Sequence, residues 1–215
     1  LDSCVMLAEL GRAFDVCPVY VRSRLRWEEA EMHWLRRILA TESFRGCEPL
    51  VVLDLPCDDL YGRHWSVCGE DVPGYDAETA SNYLPGRNLL LLSKVAVLCA
   101  LRAIDGVAMA PLAENPFADG SPEFFRLFET AASTALGRAV RIELPFRHLE
   151  KADVIRRAAG IPLELTFSCL QPVGVEHCGH CTKCAERRRG FLAAGVPDPT
   201  RYRRHVGDGA ASKSR

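Results

Sequence analysis

The sequence predicts an α/β protein, a parallel sheet flanked by helices, with a small cysteine-rich subdomain near the C-terminus. Three observations predict it. Short, continuously apolar, β-prone runs alternate with segments of helical periodicity, the pattern of strands buried on both faces. Glycine, proline and capping residues punctuate the joins between them. Four cysteines, Cys169, Cys178, Cys181 and Cys184, crowd into one short segment.

The elements follow in order. Ser3 is placed to cap a first helix carrying Val5, Leu7, Ala8 and Leu10. The chain begins Leu1-Asp2-Ser3 without methionine, and opening on a helix cap predicts that a strand leading into it has been cut away. Residues 13–21 form a β-prone run. Residues 27–39 read as a helix with Ala30, Trp34, Leu35 and Ile38 at helical spacing, acidic at its start and arginine-rich at its end, as the helix dipole prefers. Residues 50–55 read as a strand and 56–83 as a polar, glycine-containing segment. Helices are predicted over 89–104, over 122–136 with proline in the first turn, and over 150–159 ending at Gly160. Strands are predicted over 106–111 and 140–144. Beyond Tyr202 the chain is too poor in apolar residues to pack and reads as a disordered tail.

At 215 residues, 48% hydrophobic and 26% charged, the chain suits one soluble domain with a small appendage. Its formal charge of −1 argues against a protein that coats nucleic acid, although the arginines after residue 186 make the end locally basic. The richest apolar stretch, residues 89–101, is interrupted by Ser93 and Lys94 and reads as a buried helix, not a membrane span. No basic segment followed by an apolar one suggests secretion. Six of the ten cysteines (Cys4, Cys17, Cys47, Cys57, Cys68, Cys99) stand singly. Single thiols with one tight cluster fit the reducing cytoplasm better than a disulfide framework.

The cysteine cluster has eight, two and two residues between successive members. A Cys-x-x-Cys pair turns two sulfurs toward one ion, and four thiolates satisfy tetrahedral zinc with no open position, so the metal is expected to be structural. Reduced thiols and an iron–sulfur cluster are the alternatives. Tyr83-Leu84-Pro85-Gly86-Arg87-Asn88 forms a sharp turn into a helix that Asn88 can cap. Arg87 then stands at a helix N-terminus, where guanidinium and backbone amides can act together on a phosphate, and Lys151 starts another helix in the same way. Each of these cations alone also reads as an ordinary surface charge.

Taken in order, these pieces resemble one family. Leu1-Asp2-Ser3 is similar to the end of the Ser-Gly-Gly-x-Asp-Ser loop of PP-loop pyrophosphatases. Pro85-Gly86-Arg87-Asn88, Pro122-Glu123-Phe124, Lys151 in Leu149-Glu150-Lys151-Ala152, and Thr166-Phe167-Ser168-Cys169 before Cys178-Gly179-His180-Cys181-Thr182-Lys183-Cys184 resemble the 7-cyano-7-deazaguanine synthase family. The resemblance implies an adenine nucleotide alpha-hydrolase-like α/β domain over residues 1–160, a zinc subdomain over 161–202 and a tail at 203–215. It implies ATP and Mg2+ beside structural Zn2+, a 7-deazaguanine carboxylate and ammonia as substrates, a homodimer, and neither a membrane nor a stable nucleic-acid partner. By position, Asp2, Ser3, Asn88, Arg87 and Lys151 hold the nucleotide, with Arg87 and Lys151 stabilising charge in catalysis. Asn115, Asp119, Glu123, Phe124 and Phe167 fall at the substrate, although Phe124 and Phe167 read equally well as core. The segment 112–121 and the arginines at 22, 24 and 26 depart from the family pattern and leave another carboxylate substrate open. A related PP-loop adenylating enzyme and a zinc-bearing nucleic-acid adaptor are the competing readings.

Overall fold

The computed structural model describes residues 1–203; the predicted tail falls outside them except for Arg203, whose amide donates to the His177 carbonyl (2.8 Å). The order of elements is α1 (Asp2–Leu10), β1 (Val19–Arg22), α2 (Glu28–Leu39), β2 (Val51–Asp54), α3 (Asp58–Tyr61), α4 (Trp65–Cys68), α5 (Arg87–Arg102), β3 (Gly106–Ala108), α6 (Pro122–Leu136), β4 (Arg141–Glu143), α7 (Lys151–Arg157) and α8 (Thr182–Ala194). The α/β alternation read from the sequence is present, and the strands are parallel. They form two pairs, β1 with β2 (Val19 opposite Val51) and β3 with β4 (Gly106 opposite Arg141), in place of one continuous ladder. Helix α5 packs against both β1 and β3 and so bridges the pairs.

Several local expectations are corrected. Ser3 does not cap α1; the N-cap is Leu1, without a side-chain bond, and Ser3 is exposed within the first turn. The first strand is shorter than the run at 13–21, because Pro18 has no amide to donate to a ladder and enters it through its carbonyl, which accepts from Val51 N (2.9 Å). Asn88 does not cap α5. Gly86 takes that position at φ 68°, a left-handed backbone that suits glycine, and Asn88 lies inside the helix. Nor is α5 buried all round: Leu92, Ala96 and Cys99 face the interior, whereas Leu89, Val97 and Leu101 are exposed, Leu101 by 81%. The polar segment at 56–83 contains α3 and α4, and Trp65 of α4 stacks on Trp27 (centroids 5.8 Å apart). The arginines at 22 and 24 pair with Glu29 and Asp58 at a solvated strand end.

The caps of α6 and α7 follow their sequences. Ser121 accepts from the Phe124 amide (3.1 Å) ahead of Pro122. Glu150 and Asp153 exchange side-chain and backbone bonds in a capping box, which fixes the first residue of α7, Lys151.

The C-terminal segment shares its core with the rest of the chain. Ile161, Leu163 and Phe191 pack in one cluster with Val5 and Met6 of α1, Ile38 of α2 and Val154 of α7. Arg187 of α8 is 1% exposed. Its guanidinium donates to the Leu163 carbonyl (2.8 Å), Ser168 Oγ (3.3 Å) and Thr200 Oγ1 (2.5 Å), and it lies over the Phe191 ring (5.3 Å). Three segments thus hang on one buried cation. Arg187→Met would remove the guanidinium from Ser168 Oγ and Thr200 Oγ1 and leave the Leu163 carbonyl only the Thr166 amide and hydroxyl. It is expected to lower unfolding stability by about 3 kcal/mol, read from the urea midpoint.

Candidate active site and metal centre

The four clustered cysteines converge. All are buried, and their sulfurs lie within 4.8 Å of one another. Separations of 3.9 Å (Cys169–Cys181), 3.9 Å (Cys178–Cys184) and 3.5 Å (Cys181–Cys184) bracket the edge of about 3.8 Å that a tetrahedron with Zn–S near 2.3 Å requires. An iron–sulfur cluster would hold its thiolates further apart. Backbone amides of Leu170, Cys178 and His180 donate to cluster sulfurs at 3.3–3.4 Å, the outer support a thiolate centre needs. Gly179, at φ 82°, lets the chain turn between two ligands. Hydrogen bonding among the sulfurs, from Cys169 foremost, draws Cys178 down to about 6 and Cys181 well below the ordinary thiol value, while Cys169 and Cys184 are pushed above it and keep protons that a bound cation would displace. Four protein ligands leave no position for a reactant, so the site fits structural zinc.

Near this centre lies a half-buried ion pair. Lys151 Nζ, at the start of α7, reaches Asp2 Oδ2 at the start of α1 (2.5 Å), with both side chains about one-fifth exposed. Asp2 Oδ1 is buried and has no hydrogen-bond partner among the described residues. Burial pushes the Asp2 carboxyl up, but surrounding positive charges, Lys151 foremost and Lys183 among them, bring it below its ordinary value of 3.8. Lys183 was not singled out by the sequence reading. It occupies the first turn of α8 and is held by Glu186 (2.7 Å), which also accepts from Asn82 Nδ2 (3.1 Å). A lysine inside the first turn of a metal-anchored helix was the available signal.

The other expected residues stand apart from this pair. Arg87 is exposed and makes no ion pair among the described residues; its charge acts on the phenols of Tyr20 and Tyr61. The structure therefore joins Lys151 to Asp2 but does not join Arg87 to either. Asp119 Oδ2 accepts from the Asn88 amide (2.9 Å) and the Asp119 carbonyl from Asn88 Nδ2 (2.9 Å), so Asp119 supplies the cap for α5 that Asn88 was expected to give. Asn115 Oδ1 accepts from the Phe117 amide (3.0 Å), and the Phe117 ring stacks on Tyr83 (5.5 Å). Glu123 is exposed. Phe124 is half-buried and packs edge-on against Phe125, whereas Phe167 is buried beside Cys169 and His177 and occupies a core position.

Fold and centre together define an α/β protein of the PP-loop class with a four-cysteine metal site. Residues 1–195 match the family model described as queuosine biosynthesis protein QueC, and the chain belongs to that family. Among curated relatives, the 7-cyano-7-deazaguanine synthase of Methanothrix thermoacetophila is 35% identical, with 94% of each chain aligned. That of Syntrophobacter fumaroxidans is 34% identical over 73% of this chain and 74% of its own. That of an Anaeromyxobacter species is 38% identical over 59% of this chain and 58% of its own, less than two thirds of the relative's length.

Two outcomes are expected. Cys181→Ser, or a chelator applied to the native protein, should release zinc and lower the melting temperature, followed by metal analysis beside a thermal scan. Because the Asp2 carboxyl lies below its ordinary value, the pair stabilises the fold fully above the usual carboxylate range and ceases to do so as pH falls through the folded value. The unfolding stabilities of parent and Asp2→Asn should thus differ most near neutrality and converge in strong acid.

Proposed function

We propose that this protein is an ATP-consuming 7-cyano-7-deazaguanine synthase, converting 7-carboxy-7-deazaguanine and ammonia to the nitrile through an adenylated intermediate. One observation carries the reading: Lys151 grips one oxygen of Asp2 at a helix N-terminus and leaves the other oxygen buried, without a hydrogen-bond partner among the described residues. A buried carboxylate oxygen without a donor suits a divalent cation, and a lysine beside it suits the phosphates that such a cation accompanies. Magnesium would neutralise the charge of a departing pyrophosphate.

The chemistry follows from leaving-group ability. A carboxylate is a poor electrophile, since oxide would have to leave. Attack by the acid's oxygen on the α-phosphorus of ATP releases pyrophosphate and makes AMP the leaving group. Ammonia then displaces AMP to give a primary amide. A second ATP activates the amide oxygen, whose departure with loss of two protons leaves the carbon–nitrogen triple bond. Lys151 holds phosphate charge, with Ser3 exposed beside Asp2 in the first turn of α1, and Lys183 adds to the positive field. Arg87, without an ion pair among the described residues, precedes Asn88, which Asp119 holds, and is available to an anionic substrate or to phosphate. The protein contributes alignment and a dry, charged enclosure, with no nucleophile of its own.

The exposed Leu89, Val97 and Leu101 on α5 support a homodimer. The ten free cysteines support the cytoplasm as its compartment.

The test is incubation of full-length protein with ATP, magnesium, ammonium and 7-carboxy-7-deazaguanine, followed by mass analysis for the nitrile. Lys151→Met is expected to reduce AMP formation about 100-fold or more while zinc content stays at the parent level. Full turnover in that variant, or no nitrile from the parent, would overturn the assignment.

A further inference from the structure

Gly190 lies inside α8, buried, and its backbone is ordinary helix, with no positive φ. Glycine in a helix interior is destabilising relative to alanine, so its presence where no unusual conformation is used calls for another reason. The reason is space. A Cβ at position 190 would stand 2.4 Å from Lys151 Cγ, 3.4 Å from Lys151 Cβ and 3.1 Å from Ile155 Cδ1. Lys151 and Ile155 are four residues apart on α7 and so share the face that α8 covers. The missing methyl is the place where the aliphatic stem of Lys151 lies.

We propose that Gly190 is a positioning residue for Lys151: the notch it leaves in α8 holds the lysine stem in the rotamer from which Nζ meets Asp2. The idea deepens the proposed function, since it rests there on Lys151 serving the nucleotide. Neither helix is free to retreat. Cys181 and Cys184 tie the start of α8 to the metal centre, Arg187 pins it to Leu163 and Ser168, and Arg156 of α7 donates to the Ala193 carbonyl near its end (2.9 Å). The capping box fixes the backbone of Lys151 itself. Because Cγ is a single bond from Cβ, relieving the clash means turning χ1, and that swings Nζ away from Asp2. A methyl group at residue 190 is therefore converted into loss of the ion pair on the far side of α7. Through the same contact, the zinc-anchored helix sets the geometry of a charge it does not itself carry.

The test uses full-length zinc-loaded protein as parent, Gly190→Ala, and Gly190→Ala combined with Ile155→Val, which removes the Ile155 contact and leaves that with Lys151. Trace acetylation with acetic anhydride, read by peptide mass spectrometry, compares Lys151 with exposed Lys94 as internal reference; AMP formation and zinc content are measured alongside. In the parent, Lys151 should acetylate more slowly than Lys94. Both variants should raise the Lys151-to-Lys94 ratio at least fivefold with zinc retained, and AMP formation should fall at least tenfold. An unchanged ratio in Gly190→Ala, a ratio restored by Ile155→Val, or zinc loss in both variants would overturn the proposal. A raised ratio in a protein whose parent forms no AMP would uphold the positioning of Lys151 and overturn its assignment to the nucleotide.

Discussion

Lys151 and Asp2 are 149 residues apart in the chain and 2.5 Å apart in space, and keeping two charges together where water has little access makes demands on everything around them. Desolvation alone would drive the carboxylate toward its neutral form. It stays charged because Lys151, foremost, and the amino group of Leu1 stand against it, with Lys183 of α8 adding to them. Removing either partner would leave an uncompensated charge in a region of low dielectric, which costs far more than a surface pair is worth. The arrangement persists because each partner begins a helix whose position is set independently, α1 by the apolar contacts of Val5 and Met6 and α7 by its capping box and by Val154.

The zinc-type centre and Arg187 do a related job at the other end of α8. Four thiolates around one ion close a loop that has little apolar surface of its own. Arg187 then fastens the helix to the segment leading into that loop. Among the described residues its hydrogen bonds go to one carbonyl and two hydroxyls, and its charge acts at longer range on neighbours that include Asp198. Part of that field falls on Asp2. Structural anchoring and electrostatics of the neighbouring site are thus supplied by the same side chain.

The opposite wall is built differently. Arg87 is left exposed at the start of α5, and the loop facing it is made rigid by internal bonds. Asp119 and Asn115 spend acceptor atoms on backbone amides of Asn88 and Phe117. The polar atoms that remain, Asp119 Oδ1 and Asn115 Nδ2, are held in place by those bonds, so a loop whose sequence departs from the family pattern still offers an ordered edge.

The sequence by itself determined the features that depend on near neighbours: α/β alternation from apolar periodicity, the Ser121 cap, and the metal centre, whose ligands lie close along the chain. Physical chemistry acts there over a few bonds, through spacing, caps and turn residues. Ser3 and Asn88 were misplaced as caps for a related reason: a cap requires a non-helical backbone at its position, which residue type favours but does not dictate, and Leu1, Gly86 and the distant Asp119 took those roles. Only the tertiary structure decided that Lys151 meets Asp2 while Arg87 does not, that Arg187 is a core residue and not part of a basic surface, and that α5 is covered on one face alone. Those outcomes depend on how helices pack across the core, where the position of a charge is set by the volume of side chains far away in sequence.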